Sequence, residues 1–394
     1  MTAGNMKGRN LPALVWNDTF LFTLLAVFTG LLAGSVILSI TGFNPLAAYG
    51  VLFSGIFGSL KTVMYMVQYA TPIIFTGLSV TFAFKTGLFN IGAEGQYIMG
   101  SLAALAAGVL LPLPAPLHGI VCVLAGALAG ALWGAAAGLL KAYKGIHEVI
   151  VTIMLNWIAF YLSNFFVMSP LLKKPNSTAS VDIAATAGIA TDAFRGVFGI
   201  VRVHWGMLLA LAAVIACRII LNKTTLGYRL RAVGFNRYAA EYGGINVGLS
   251  VTLSMGVSGL LAGLGGAVQV LGVVGKLTQL AAQEGYGFDG ISVSMIGGIN
   301  PVGALFAGLF YGGMKYGGSK LNIIGAPSEL VNVIIGVIIY SIAVMGAFRL
   351  LFRLIRKPAP VNKAAGSPAD TAAGDAAAGN AAADSGHTAE EAAP

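Results

Sequence analysis

Long apolar runs alternate with short polar segments along most of the chain. A helix that crosses a bilayer needs about 20 mainly apolar residues, and most of these runs come close to that length. The pattern therefore predicts an all-α fold, a polytopic transmembrane helical bundle of about ten spans within residues 19–357. The predicted spans are residues 19–40, 62–84, 97–111, 118–140, 146–168, 205–221, 247–271, 285–299, 301–316 and 329–348.

The polar segments divide the chain further. Residues 1–18 are predicted to be a cytoplasmic N-terminal segment, residues 169–203 an external loop, and residues 222–246 a cytoplasmic loop. Residues 44–59 are moderately apolar and Gly-rich, which fits a helix lying at the membrane interface. Residues 358–394 contain almost no large apolar side chain, so we expect a disordered tail rich in Ala, Gly and acidic residues.

The distribution of basic residues predicts the orientation of the spans in the membrane. With both termini in the cytoplasm, most Lys and Arg residues of the connecting segments fall on the cytoplasmic side, as the positive-inside rule requires. The loop at 222–246 and the basic residues that follow position 348 supply many of them. A shift of one span would place both groups outside.

Composition supports a membrane protein and excludes other classes. The chain is 57% apolar and only 9% charged, whereas soluble proteins carry roughly a quarter charged residues. Its net charge of +9 resides in loops between spans and does not indicate nucleic-acid binding. Both cysteines lie in apolar runs, and the four histidines show no metal-ligand spacing, so we expect no disulfide framework and no metal site.

Residues 87–96, with the sequence GLFNIGAEGQ, lie between the second and third predicted spans and include the polar residues Asn90, Glu94 and Gln96. Irregular backbone at membrane depth is tolerated only where protein buries it or where it lines a watery cavity. An ionisable residue there indicates function by default. The stretch is either a cytoplasmic turn or a helix end that contributes polar groups to a transport path.

A second Gly-broken stretch, GYGFDG at residues 285–290, precedes the eighth span. Five spans separate the two stretches, so they would run in opposite directions as parts of an inverted repeat. Paired, broken hydrophobic segments of this kind indicate the binding site of a transporter.

Further polar residues lie in or beside the spans. Glu148, Thr152 and Asn156 fall on one helix face, and Gln269, Phe288 and Asp289 come later in the chain. Such side chains suit a neutral, hydroxyl-rich or heteroaromatic solute. Each also has a structural interpretation: the amides as contacts between helices, Glu148 as an interfacial ion pair with the Lys141–Lys144 loop, and Asp289 as a helix N-cap.

The cytoplasmic loop contains a predicted short helix at residues 235–242, which Gly243 and Gly244 would end. Such a helix could dock into a cleft of a cytoplasmic partner. The alternative is a basic loop that contacts anionic lipid.

Four motifs together resemble the permease subunits of bacterial ABC importers of the branched-chain amino acid and simple-sugar class, with the nucleoside permeases most alike. They are residues 87–96, HEVIVTIMLN at 147–156, TLGYRLRAVG at 225–234 with AA at 239–240, and GYGFDGI at 285–291. The likeness extends from about residue 44 to residue 353.

The resemblance implies a permease that translocates nucleosides across the cytoplasmic membrane. It implies three kinds of protein partner: a second, related permease, a cytoplasmic ABC ATPase, and an extracytoplasmic solute-binding protein or lipoprotein. The partners would use ATP and Mg, since this chain has no phosphate-binding loop and binds no cofactor itself. Residues in the coupling segment that would contact the ATPase are Gly227, Arg229, Arg231, Gly234, Ala239, Ala240, Glu241 and Gly244.

The polar residues in and beside the spans form the candidate substrate pathway, which comprises Asn90, Glu94, Gln96, Glu148, Thr152, Asn156, Gln269, Phe288 and Asp289. Import of a monosaccharide such as ribose by the same architecture is the alternative. An ion-coupled secondary transporter is less consistent, because no basic residue at depth is seen to pair with the carboxylates. A membrane-embedded enzyme lacks a catalytic constellation.

Overall fold

The computed structural model describes residues 18–190 and 203–355. Within these ranges the chain forms thirteen α-helices, and the only β-pairings are three isolated bridges. In chain order the helices are α1 Asp18–Ile40, α2 Pro45–Phe57, α3 Leu60–Phe84, α4 Ala93–Leu110, α5 Leu117–Lys144, α6 Glu148–Val167, α7 Gly206–Lys223, α8 Thr225–Phe235, α9 Arg237–Tyr242, α10 Val247–Gln269, α11 Tyr286–Ile296, α12 Pro301–Gly318 and α13 Glu329–Ile355.

Each of the ten predicted spans coincides with a helix, and the all-α membrane bundle is confirmed. Five helical segments in the described part of the chain are long and apolar enough to cross a membrane: Leu60–Phe84, Leu117–Lys144, Glu148–Val167, Gly206–Lys223 and Val247–Val274. The last of these joins α10 to a π-helical turn, Val270–Val274. The predicted eighth span contains only the 11-residue α11, which at 1.5 Å per residue extends about 16 Å and cannot cross alone.

Glycines let α5 and α10 pack with their backbones in contact. A Cβ atom on Gly130 would lie 2.7 Å from Gly263 Cα and would also meet the carbonyl oxygen of Gly259. Small residues of this kind permit close helix packing where lipid provides no hydrophobic driving force. This seam places α10 against α3, α4 and α5 at the centre of the bundle.

Helix α2 occupies the stretch predicted to lie at the membrane interface. Asn44 caps its first turn through Oδ1, which accepts from the backbone N–H of Leu46 at 3.0 Å. Leu52 and Ile56 are buried, and both approach Gly317 of α12. The helix is therefore packed on the bundle along one face.

The segment at 222–246 contains two helices where the sequence predicted one. Thr224 caps α8, a helix that the pattern did not reveal. Asn236 then breaks the helix and caps α9, which ends at Gly243 and Gly244 as expected. The sequence did not predict α8 because only about one residue per turn, a leucine or the valine, faces the bundle. The residues between them are mostly basic or small, so the apolar pattern is weak.

Other predicted segments lie partly or wholly outside the described residues. In the loop at 169–203, residues 169–190 are described and are attached to the segment before α11, where Leu277 donates its backbone N–H to Ser180 Oγ at 3.0 Å. Residues 191–202 of that loop, the N-terminal residues 1–17 and the predicted tail at 358–394 lie outside the described ranges. The chain divides into a compact unit ending at Met345 and a second unit that begins at Gly346. Residues 346–355 of the second unit are helical.

Candidate functional site

Residues 87–96 form the break between α3 and α4. Gly87 has a φ of +73°, a backbone conformation that glycine adopts without strain, and α4 begins at Ala93. Asn90 lies in the break, while Glu94 and Gln96 lie in the first turn of α4. All three side chains are fully buried, so this turn directs its polar groups into the protein.

Glu94 joins the two Gly-broken stretches. Its carboxylate oxygens accept the backbone N–H of Gly285 at 2.8 Å and of Gly287 at 2.6 Å, which are unpaired donors at the start of α11. A negative charge is stabilised at a helix N-terminus. Glu94 therefore caps α11, the role that the sequence had offered to Asp289.

Asn90 and Gln96 belong to a buried polar cluster between α3, α4 and α10. Asn90 Nδ2 donates to Gln96 Oε1 at 2.9 Å and to Ser258 Oγ at 2.7 Å. Ser258 Oγ in turn lies 2.9 Å from Ser79 Oγ. These hydrogen bonds connect three helices, as expected if the amide side chains serve as contacts between helices.

Asn156 of α6 bonds to the backbone of the same break. Its Oδ1 accepts from Gly95 N–H at 2.8 Å, and its Nδ2 donates to the carbonyl oxygen of Ile91 at 3.0 Å. Thr152 bonds to the carbonyl oxygen of Glu148 in its own helix at 2.8 Å. Asn156 thereby fixes α6 to the start of α4.

Basic partners exist for two of the three carboxylates, and only the partner of Asp289 was not foreseen from the sequence. Lys141 Nζ lies 2.7 Å from Glu148 Oε2, the ion pair that was one interpretation of Glu148. Lys315 Nζ of α12 lies 2.8 Å from Asp289 Oδ2, and Tyr311 donates to Asp289 Oδ1 at 2.6 Å. The sequence could not reveal the second pair, because only the packing of α12 on α11 brings Lys315 to that depth.

One cavity, of about 400 Å³, brings together two predicted site residues. Asn156 of α6 and Phe288 of α11 line it, and the other lining residues are Ile153, Trp157, Ala282 and Gln283. We call it the α6–α11 cavity. It offers aromatic faces and amide groups on one surface.

A second cavity, of about 260 Å³, contains predicted residue Gln269, Tyr286 of the GYGFDG stretch, and four polar residues that the sequence analysis missed. Four tyrosines and two glutamines line it: Tyr65, Gln68, Tyr69, Gln269, Tyr286 and Tyr316. We call it the tyrosine cavity. The spacing of Tyr65, Gln68 and Tyr69 at i, i+3 and i+4 places them on one face of α3, and that pattern could have indicated a polar aromatic surface.

The first turn of α11 separates the two cavities. Tyr286 lines the tyrosine cavity and Phe288 lines the α6–α11 cavity. The two residues that alternate with them, Gly285 and Gly287, hold the hydrogen bonds to Glu94. Glu94 thus fixes the turn of α11 that contributes one residue to each cavity.

The α8–α9 segment presents a largely exposed surface. Arg229, Ala239 and Glu241 are exposed, whereas Gly227 and Ala240 are buried and Arg231 is half-buried. Three aromatic residues that the sequence analysis did not single out are the most exposed: Phe235 at 90%, Tyr238 at 82% and Tyr242 at 97%. Exposed aromatic side chains of this density are typical of a protein interface.

The same segment touches the break between α3 and α4 through glycine backbones. A Cβ atom on Gly234 would lie 2.5 Å from the carbonyl oxygen of Lys85 and 3.1 Å from the nitrogen of Gly87. A displacement of α8 would therefore act directly on residues 85–87. Another predicted coupling residue, Gly244, has a φ of +79° and ends α9.

Among the described residues, no group of three or more His, Cys, Asp or Glu side chains could hold a metal ion. The polar groups of the two cavities are amides, hydroxyls and aromatic rings. Such groups bind a solute by hydrogen bonding and stacking.

Comparisons with known proteins give a consistent picture. A family model described as the permease component of branched-chain amino acid transport systems matches residues 62–343. The chain is 38% identical over 338 residues to the guanosine ABC transporter permease protein NupP of Bacillus subtilis (strain 168), covering 86% of this chain and 97% of NupP. No solved structure matches the chain.

Two further relatives differ in their named substrates. The nucleoside ABC transporter permease protein NupB of Lactococcus lactis subsp. cremoris (strain MG1363) is 36% identical over 329 residues, with 82% of this chain and 90% of NupB covered. The glucose ABC transporter permease protein TsgB13 of Haloferax volcanii is 31% identical over 338 residues, with 84% of this chain and 88% of TsgB13 covered.

Proposed function

This chain belongs to the family of permease components of branched-chain amino acid transport systems, and from that premise we propose that it imports nucleosides as one subunit of an ATP-binding-cassette transporter. The observation that carries the proposal is the 38% identity with a guanosine permease across 97% of that protein's length. The neutral, aromatic and amide-bearing cavities support it, because a nucleoside offers a flat heteroaromatic base and several hydroxyl groups.

Import of a monosaccharide is the second candidate. The named glucose permease, at 31% identity over 84% of this chain, is the observation that favours it. The nucleoside proposal is stronger, since two relatives with higher identity are named for guanosine or nucleosides.

A permease component is a transport subunit and not an enzyme, so ATP hydrolysis belongs to a partner ATPase. We propose that this ATPase, which uses ATP and Mg, docks on the exposed aromatic side chains of α8 and α9. This surface would face the cytoplasm, with both chain termini on the same side, as the distribution of basic residues favours.

A second, related permease would complete the pathway. One face of α6 carries a stripe of exposed apolar residues beside the α6–α11 cavity, including Met154 at 59%, Tyr161 at 64% and Phe165 at 68% exposure. We place the second permease there, with Asn156 and Phe288 on the translocation path. A solute-binding protein or lipoprotein would deliver the substrate at the opposite membrane face.

Closure of the partner ATPases would then change the shape of the cavities through a short series of contacts. Helix α8 abuts Lys85 and Gly87 through Gly234, the break continues to Glu94, and Glu94 holds the first turn of α11. A rigid-body shift of α8 would thereby move the wall between the two cavities, as packed elements transmit displacement.

The test is uptake of radiolabelled guanosine and adenosine by cells with and without this chain, in the presence of excess ribose. We expect loss of nucleoside uptake without the chain and no competition by ribose. Loss of ribose uptake instead would favour the monosaccharide candidate. Uptake that collapses with an uncoupler while ATP is maintained would contradict the ATP-driven mechanism and indicate a secondary transporter.

A further inference from the structure

The tyrosine cavity is separate from the α6–α11 cavity, whose residues Asn156 and Phe288 we place on the translocation path. It lies between the first third of α3, the end of α10 and the end of α12. Tyr69 and Lys85 are sixteen positions apart along α3 and its C-cap, which at 1.5 Å per residue places the cavity about 24 Å from the α8 contact. It therefore lies towards the end of the bundle at which substrate would enter.

Aromatic faces dominate this cavity. The rings of Tyr65 and Tyr316 stack at a centroid distance of 5.3 Å, and Tyr69 lies 5.5 Å from Tyr316. Tyr286 is fixed from behind by Tyr97, with ring centroids 5.0 Å apart. Rings held by other rings form a rigid stacking surface, and stacking on such surfaces tolerates any base because every base has a π-face.

The two glutamines supply side-chain groups that can form hydrogen bonds with a ligand. The side-chain oxygen of Gln68 is buried and has no hydrogen-bond partner within the described part of the chain, and the residue is only 7% exposed. Gln269 Nε2 lies 3.4 Å from Tyr286 Oη. A buried acceptor without a partner costs free energy, so a ligand with an N–H donor would be favoured next to Gln68.

The charge and volume of the tyrosine cavity further limit the kinds of ligand that it could bind. No charged side chain is among the described residues that line the cavity, although Lys320 Nζ lies 5.3 Å from the ring centroid of Tyr316. The lining groups themselves are neutral, which favours an uncharged ligand. The volume of about 260 Å³ is just below the roughly 300–1,000 Å³ of pockets for drug-sized molecules. A single heteroaromatic base with an attached sugar is of suitable size.

We propose that the tyrosine cavity is a binding site for the base of a nucleoside, in which the tyrosine rings stack on the base and Gln68 accepts a hydrogen bond from a ring or exocyclic N–H. This inference rests on the proposed function, and it adds a recognition site on the other side of the α11 turn from the α6–α11 cavity. Glu94 acts as a positioning residue for it, because Glu94 bonds to the backbone on both sides of Tyr286.

The first experiment compares variants in cells that carry the complete transporter. Tyr65→Leu should raise the half-saturating guanosine concentration about 5- to 150-fold, the range expected for loss of one base-stacking contact. Gln68→Leu should raise it about 2- to 13-fold, the range expected for loss of one hydrogen bond. Tyr65→Phe keeps the ring and should keep the wild-type value. Tyr340→Leu, a change at an exposed tyrosine outside the cavity, is the control. Wild-type values in both leucine variants would overturn the inference.

The second experiment uses the unaltered transporter, so that it does not depend on the folding of a variant. Membranes containing the complete complex are irradiated with 8-azidoadenosine, and the labelled peptides are mapped. We expect label in α3, in α12 or at Tyr286, blocked by excess guanosine and not by ribose. Label confined to other segments, or protection by ribose, would overturn the inference.

The two proposals fail differently. A wild-type transporter that does not import nucleosides refutes the proposed function. A wild-type transporter that imports them, while the leucine variants behave normally and no label appears near the cavity, refutes the base-binding site alone.

Discussion

Glu94 lies in the first turn of α4, yet its side chain contacts backbone 191 and 193 residues further along the chain. An isolated glutamate in an apolar stretch suggests a transport or ion site, because a charge at membrane depth is costly unless it is used. Here the cost is offset by two backbone donors at a helix N-terminus. The neighbouring amides of Asn90 and Gln96 are likewise satisfied within the protein.

At the residue scale we predict that Glu94→Gln destabilises the protein. The amide retains one acceptor oxygen but turns an NH₂ group towards a backbone N–H, so one charge-assisted bond is lost, at about 1.5–3 kcal/mol. We expect a lower thermal denaturation midpoint of the purified complex and a lower initial rate of guanosine uptake.

The control is Glu329→Gln, at an exposed residue whose carboxylate accepts from the adjacent Ser328. Surface changes of this kind usually stay within about 0.5 kcal/mol. Equal denaturation midpoints for the two variants would contradict the capping role of Glu94.

The sequence indicated the importance of residue 94 but not its partner. Glycines flanking a carboxylate predict irregular backbone with a polar group, and this was observed. The identity of the donors depends on how α11 packs beside α4, a contact between residues almost 200 positions apart. Local patterns carry no information on such a contact, which also explains why Lys315 was not recognised as the partner of Asp289.

At the scale of elements, helix α8 packs directly against the break between α3 and α4. Its Gly234 allows backbone-to-backbone contact with Lys85 and Gly87, with no flexible side chain between them. A contact between rigid backbones transmits a displacement with little loss, since packed interiors deform little.

We predict that Gly234→Ala impairs coupling between ATP hydrolysis and transport. The added methyl group would lie 2.5 Å from the carbonyl oxygen of Lys85, so α8 must move away, and overpacking of this kind costs about 1–3 kcal/mol. We expect guanosine uptake to fall at least about fivefold, which corresponds to 1 kcal/mol. ATPase activity should no longer respond to the loaded binding protein.

Gly256→Ala is the matched control, since a Cβ atom on this α10 glycine would meet its nearest neighbour at 3.6 Å, an ordinary contact. Uptake and ATPase stimulation should remain at wild-type levels there. If Gly234→Ala behaves in the same way, the contact between α8 and residues 85–87 does not transmit the coupling.

At the scale of the whole molecule, the family match lies within the part of the chain that forms the described helices. The family match spans residues 62–343, and the described helices span Asp18 to Ile355 with one interruption. The Ala- and Gly-rich residues from 358 onwards lie beyond both. Their composition lacks the large apolar side chains needed to join a packed core.

We therefore predict that truncation after Lys357 leaves transport intact. Membrane levels of the protein, co-purification of the ATPase and guanosine uptake should all match those of the full chain. Loss of assembly in the truncated protein would show that the tail contributes a contact to the complex.

The sequence by itself determined the membrane class, the positions of the long apolar helices and the two Gly-broken stretches. These follow from local composition and periodicity, which act through burial in lipid and through backbone freedom. The tertiary structure alone decided which polar groups meet. It assigned Glu94 to the N-terminus of α11, paired Asp289 with Lys315, and gathered tyrosines from three distant helices into one cavity. These contacts depend on helix packing between residues far apart in the chain, and no local pattern specifies that packing.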